Sequence, residues 1–170
     1  MPGGNTYTRR LVVAFELPTH VRQRLTGLAE ALVDDVPDAR SVPAEHLHST
    51  ICVLGACDEE RLPGLAASLF DAVRDHDILT TGLGAPVGRP RTSAARLCAI
   101  PLTDPTGEMA RVCMRIGAEL ADVCTRSPDE RPPWPHVTIA RFSRPTRMRR
   151  FLHYEGEHVF AIDRITLYDS

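Results

Sequence analysis

The alternation of apolar and polar positions along the chain predicts short strands separated by amphipathic helices. Strand-length apolar runs lie at 10–17, 48–55, 78–83, 96–102, 136–143 and 158–168. Apolar residues at helical spacing predict three helices, marked by Val21, Leu25, Leu28 and Leu32, by Leu62, Leu65, Leu69 and Val73, and by Met109, Val112, Ile116, Leu120 and Val123. This mixture predicts an α+β fold.

Proline, glycine and aspartate divide these elements. Pro18 is expected at the start of the first helix, Asp58 as a cap of the second, and Asp104 as the cap of the third with Pro105 in its first turn. The segment 82–95, rich in Gly, Pro, Arg and Ser, is predicted to be a turn or exposed loop between two halves of the chain.

The two halves repeat one order of elements: strand, helix, proline-containing loop, strand headed by histidine, and further strand. Leu11 and His48 are 37 positions apart, and Leu97 and His136 are 39 apart. Neither half could bury both faces of its sheet alone, so the chain 1–170 is expected to form one domain of two similar lobes. The internal repeat covers about 9–83 and 96–168, with an approximate two-fold axis between the lobes.

The two histidine-headed strands share the pattern His-x-Thr-apolar, within "HLHSTICVLG" (46–55) and "PHVTIARF" (135–142). Residues i and i+2 of a strand face the same side, so His48 and Thr50 are predicted to share one face, as are His136 and Thr138. Ser49, Ile51 and Val53 are expected on the opposite face of the first strand, and Val137 and Ile139 on that of the second. The two-fold axis would then bring both histidines to one groove.

Two imidazoles and two hydroxyls in one groove suit acid–base chemistry on a phosphodiester. One neutral histidine can take a proton from water while the other, protonated, gives one to the departing oxygen. The threonine hydroxyls can hold the phosphoryl oxygens as charge develops. The predicted catalytic residues are therefore His48, His136, Thr50 and Thr138. No metal or cofactor is predicted, although His46 and His48 could share an ion.

These motifs, with the opening "RLVVAFELP" and the central "GLGAPVGRPRTSAARLCAIPL", resemble the 2H phosphoesterase superfamily and, within it, the bacterial 2′-5′ RNA ligase (LigT/ThpR-like) family. The resemblance implies a duplicated two-lobed fold, each lobe an antiparallel sheet backed by helices, with the active cleft between them. It also implies hydrolysis of RNA 2′,3′-cyclic phosphate ends to 2′-phosphates, with His48 as proton donor, His136 as acceptor, and both threonines binding phosphate.

Three further residues are candidates for substrate binding: Arg141, Arg144 and Ser49. Arg141 matches an arginine that commonly follows the family's second motif, but strict alternation puts it on the face opposite His136 unless a bulge turns it round. The basic run Arg141, Arg144, Arg147, Arg149 and Arg150 is either a solvated surface or a contact to the RNA backbone.

Aromatic residues are few. The family's usual aromatics near the centre of the chain are replaced by Ala85 and Cys98. Phe15, Phe142, Trp134 and Tyr168 are the aromatics expected nearest the groove, although each is more typical of core or rim than of a base-stacking surface.

Composition narrows the class of protein. With 43% hydrophobic and 25% charged residues, and all 20 basic residues arginine, the 170-residue chain is typical of a globular domain. A net charge of −2 favours recognition of RNA termini or small nucleotides over a broad nucleic-acid surface. Five cysteines without metal-site spacing, and no signal peptide or membrane-length apolar run, indicate a cytoplasmic protein, expected to be a monomer.

Two alternatives to the hydrolase remain open. The same site could serve 2′-5′ ligation or a phosphodiesterase acting on a small cyclic or 2′-5′ nucleotide. The chain could also be a non-catalytic module that binds RNA ends.

Overall fold

The computed structural model describes residues 8–122, 132–148 and 158–169. The strands are β1 (Thr8–Glu16), β2 (Ala39–Ser41), β3 (His48–Asp58), β4 (Leu79–Gly82), β5 (Val87–Arg89), β6 (Ala95–Pro101), β7 (His136–Thr146), β8 (Val159–Ile162) and β9 (Ile165–Asp169). The helices are α1 (Thr19–Asp35), α2 (Leu62–Val73) and α3 (Glu108–Glu119).

Seven strands form one antiparallel sheet in the order β5-β6-β7-β3-β1-β9, with β2 pairing with β7 beside this path. The strands β4 and β8 form a separate antiparallel pair. The predicted α+β class is confirmed. The strands that carry the two histidine motifs, β3 and β7, are neighbours at the centre of the large sheet.

The helices cover one face of this sheet. In β1 all five residues from Leu11 to Phe15 are buried, and the strand lies inside the sheet, between β3 and β9. The buried stripe of α1, from Val21 to Leu32, packs on β2 and β7, whereas α3 packs on β3 and α2. Each of these helices therefore supports the motif strand of the other half of the chain.

The sheet also exchanges strands between the halves. The C-terminal strand β9 pairs with β1, and β2, from the N-terminal half, pairs with β7. The sequence pattern missed β2 because it has only three residues, one of them buried. It likewise missed β5, an edge strand inside the segment predicted as a loop, and it fused β8 and β9 into one element.

Two predicted helix caps differ from the structure. The Asp104 carboxylate accepts hydrogen bonds from the backbone N–H groups of Met109 and Ala110 at 3.1 and 2.9 Å, but α3 begins only at Glu108, so Pro105 precedes the helix. Gly107, at the N-cap position, has a φ of +70°, a left-handed conformation that glycine adopts without steric cost. Asp58 ends β3, and a short 3₁₀ turn separates it from α2.

Four cysteines, Cys52, Cys57, Cys98 and Cys113, are not in disulfides. Burial raises the pKa of the Cys98 and Cys113 thiols to about 12, which makes them poor nucleophiles. Across the described ranges, we find no helix with the length and apolar character needed to span a membrane.

Candidate active site

A single cross-strand pair, Ser49 with Val137, joins the two motif strands. Both side chains are fully buried on the face covered by the helices. Continuing this antiparallel register by one position places His48 opposite Thr138 and Thr50 opposite His136 on the other, open face. The two histidines are then diagonal neighbours, a relation in which Cα atoms are about 7–8 Å apart.

Each motif strand has an irregularity at the same place. In β3, Thr50 pairs with Ala14 and Cys52 with Val13, so Ile51 is an extra residue; in β7, Thr138 pairs with Ala99 and Ala140 with Cys98, so Ile139 is extra. Both bulges fall three residues after the motif histidine. A bulge reverses the alternation beyond it. The fifth residue after each histidine, Val53 or Arg141, therefore turns to the groove face.

The two bulges explain the orientations of the Val53 and Arg141 side chains. Val53 is exposed rather than part of the core, contrary to the strict-alternation prediction, and Leu54 takes the buried position. Arg141 is exposed, while its neighbours Ala140 and Phe142 are buried beneath it. The bulge that the prediction for Arg141 required is present.

His136 is held between a backbone carbonyl and an indole ring. Its Nδ1 lies 2.7 Å from the carbonyl oxygen of Trp134, which favours the tautomer with the proton on Nδ1 and leaves Nε2 as an acceptor. The Trp134 ring stacks on the imidazole, with centroids 4.1 Å apart and planes 23° apart. The guanidinium of Arg89 lies 4.1 Å from the centroid of the Trp134 ring. Burial and the charge of Arg89 lower the pKa of His136, against the carbonyl of Trp134, which raises it.

His48 has a comparable setting with other partners. The Tyr168 ring from β9 stacks on its imidazole, with centroids 4.9 Å apart and planes 22° apart. Burial is the main cause that lowers the pKa of His48, and the backbone of His46 acts in the opposite direction. Among the described residues, Nδ1 of His48 has no hydrogen bond of good geometry.

Two predicted substrate-binding residues have surroundings different from those of the motif histidines. The side chain of Ser49 is fully buried on the opposite face of β3, and its hydroxyl has no hydrogen-bond partner in the described structure. Arg144 is exposed and donates a hydrogen bond from Nε to Oδ2 of Asp38 at 2.6 Å. Neither side chain is part of the proposed site. In the predicted basic run, Arg149 and Arg150 lie outside the described residues.

The aromatics divide between core and groove. Phe15 and Phe142 are buried in the core, whereas Trp134 and Tyr168 cover the two motif histidines. Cys98, where the family usually has an aromatic, is fully buried, so a side chain there does not face the groove. Sequence reasoning named Trp134 and Tyr168 but missed Arg89. In the sequence, Arg89 is marked only by the proline that follows it. In the sheet, its strand β5 lies two strands from β7.

The described residues contain no group of three or more His, Cys, Asp or Glu side chains arranged to hold a metal ion. His46 is exposed on a 3₁₀ turn before β3.

Comparison with solved structures identifies the fold. TT0787 of Thermus thermophilus superposes with a TM-score of 0.77 at 23% identity, over 93% of this chain and 86% of that protein. E. coli LigT, in complex with NADP+, gives 0.69 at 21% identity, over 96% and 88%. The MHV ns2 PDE domain gives 0.66 at 15% identity, over 95% and 99%. Neither a protein-family model nor a curated protein matches the sequence.

The chain therefore has the fold of the 2H phosphoesterases, as the paired motifs predicted. It aligns with LigT over nearly its whole length.

Proposed function

We propose that this protein is a phosphodiesterase that hydrolyses RNA 2′,3′-cyclic phosphate ends to 2′-phosphates through its two motif histidines. The observation that carries the proposal is the pairing of Ser49 with Val137, because this register puts His48, Thr50, His136 and Thr138 on one open face. The likeness to E. coli LigT, solved in complexes with 3′-AMP and with phosphate, supports a nucleotide phosphate as the ligand.

The two histidines have different roles in this mechanism. Nε2 of neutral His136 takes a proton from water, and the hydroxide oxygen bonds to phosphorus. The bond from phosphorus to O3′ breaks, and O3′ takes a proton from protonated His48. The product has a 2′-phosphate and a free 3′-hydroxyl, and proton exchange with solvent restores both rings. The hydrogen bond from Nδ1 of His136 to the Trp134 carbonyl supports the base role, since it strengthens when the ring becomes charged.

The other groove residues act on the charge that develops on phosphorus. Thr50 and Thr138 lie one strand position from the joining pair, where their hydroxyls can donate to the two non-bridging oxygens. Arg141, turned to this face by the bulge at Ile139, adds a positive charge beyond Thr138. These groups stabilise the transition state more than the ground state because the phosphoryl oxygens gain charge during attack.

Product analysis with a short RNA that ends in a 2′,3′-cyclic phosphate tests the proposal. We expect conversion to a 2′-phosphate only, and an unchanged rate after treatment with EDTA, because side chains make both proton transfers. A 3′-phosphate product would reverse the assignment of the leaving oxygen. Absence of any product, with retained binding of the RNA, would instead favour a module that binds RNA ends.

The same assay separates hydrolysis from ligation. Incubating the cyclic-phosphate RNA with a second RNA that has a free 5′-hydroxyl should give the 2′-phosphate and no 2′-5′ linked product, if water is the nucleophile. Appearance of the longer RNA would show that the groove admits a hydroxyl in place of water.

A further inference from the structure

Three arginines lie in one row across the second half of the sheet. Arg89 of β5 pairs with Leu97 of β6, Leu97 pairs with Arg141 of β7, and Arg141 pairs with Arg40 of β2. Residues paired across strands share a face, so the three arginines project on the same side. Neighbouring strands are about 4.8 Å apart, which sets Arg40 about 5 Å and Arg89 about 10 Å from Arg141 along the row.

This row is on the groove side of the sheet. The pairs next to it, Ala39 with Phe142 and Gly88 with Cys98, are buried on the helix-covered face. The guanidinium of Arg89 extends over Trp134, which itself stacks on His136. The row therefore begins beside the motif histidine and runs away from it across β7 to β2.

No ion pair neutralises these arginines within the described ranges, whereas Arg9 and Arg144 on the same sheet both bind carboxylates. Like charges opposite each other, as in the pair Arg40 and Arg141, destabilise a sheet. A row of unpaired cations is stabilised when an anion binds to it. The row is therefore suited to hold phosphate.

Building on the proposed function, we propose that this row, in which Arg40 and Arg89 flank Arg141, forms a second phosphate subsite, which holds a phosphate other than the one that reacts. Arg141 lies about two strand steps, or about 7 Å, beyond Thr138 once the bulge is allowed for. A phosphate on this row therefore belongs to the neighbouring position of the same substrate. It is the internal phosphodiester of an RNA end or the 5′-phosphate of a small nucleotide.

The test compares kcat/KM on three substrates: a nucleoside 2′,3′-cyclic phosphate, its 5′-phosphorylated form, and a dinucleotide that ends in the cyclic phosphate. We expect the wild-type protein to prefer a substrate with a second phosphate. Arg40→Gln and Arg89→Gln should each reduce that preference about tenfold, the cost of losing a hydrogen bond to a charged group. Arg10→Gln, which removes an exposed strand arginine from β1 away from the row, should leave the preference as it is.

The substrates distinguish the two sources of phosphate. A preference confined to the dinucleotide identifies an RNA end, and one confined to the 5′-phosphorylated nucleotide identifies a small molecule. Equal losses on all three substrates in Arg40→Gln, or no loss on any, would overturn the subsite.

A binding measurement separates this proposal from the proposed function. The affinity for a dinucleotide with a terminal 2′-phosphate is measured over a range of salt concentrations in wild type, Arg40→Gln and Arg10→Gln. Loss of one phosphate contact should lower the slope of log affinity against log salt by about 1 in Arg40→Gln only. That result without any turnover would leave the subsite standing and refute the hydrolase, whereas an unchanged slope would refute the subsite whether or not the protein hydrolyses RNA.

Discussion

The two motif strands have the same backbone irregularity but different neighbouring side chains. Each has histidine, a buried residue, threonine and then a bulge at the third residue after the histidine. Around His48, the equivalent cross-strand row is Tyr168, Val12 and Val53, and Glu16 pairs with His48 itself. Around His136, the row is Arg89, Leu97 and Arg141, and Pro101 takes the place of Glu16.

Because of this difference, the two sides of the groove are not equivalent for a bound substrate. The side of the groove around His48 offers the Tyr168 ring and the Glu16 carboxylate, whereas the side around His136 offers the Trp134 indole and the three arginines of the row. A symmetric cleft could bind a phosphodiester in either orientation, whereas the proposed subsite would draw the anionic backbone of a substrate to the side that carries the arginines. The proposed assignment of one histidine as acid and the other as base rests on these differences in their surroundings.

The largest effect should come from the histidines. His48→Ala and His136→Ala are each expected to lower kcat on a cyclic phosphate by about 10²- to 10⁴-fold, the range that a positioned acid or base contributes. A phosphodiester with an aryl leaving group, which departs without a proton, should restore activity in His48→Ala but not in His136→Ala. Rescue of His136→Ala alone would exchange the two roles. Thermal unfolding near that of wild type is the control for folding.

Replacing the motif threonines should have a smaller effect on activity, of similar size at the two positions. Thr50→Val and Thr138→Val preserve shape and remove a hydroxyl, so each should reduce kcat/KM about 10- to 100-fold, the equivalent of about 1.5–3 kcal/mol for a hydrogen bond to a charged group. Thr80→Val, at an exposed position of β4, is the matched control and should change nothing. An effect confined to one threonine would show that only one half of the groove holds the phosphoryl oxygens.

Replacing the two aromatic residues that stack on the histidines should shift the pH profile of activity rather than abolish activity. Trp134→Leu and Tyr168→Leu admit water to one imidazole each, so each variant relieves the burial that lowers the pKa of that histidine. A base must be neutral, so a higher pKa of His136 moves the acidic limb of kcat/KM upward in pH. An acid must be protonated, so a higher pKa of His48 moves the basic limb upward.

These two shifts are read as apparent values of the coupled pair. Trp134→Phe, which retains a stacked ring, should leave the acidic limb close to that of wild type. Movement of the same limb in both leucine variants would contradict the division of roles between the halves.

The sequence pattern predicted the motif strands, the three helices and the face shared by each histidine and threonine, because local alternation determines all of them. It could not predict the bulges, since an extra residue in β3 or β7 depends on the partner strand. For that reason strict alternation predicts Val53 in the core, and it predicts Arg141 on the groove face only if β7 contains a bulge. It also missed β2, whose three residues carry too little periodic signal, and with it the place of Arg40 next to Arg141.

The shared bulges have a consequence for how such a protein can diversify. The fifth residue after each histidine is paired with a neighbouring strand through its backbone, while its side chain faces the groove. Replacing that side chain therefore need not disturb the hydrophobic interior. Valine at one such position and arginine at the other show that a single side chain can alter the polarity of the cleft. Selectivity can in this way change by point substitution while the reacting groups stay in place.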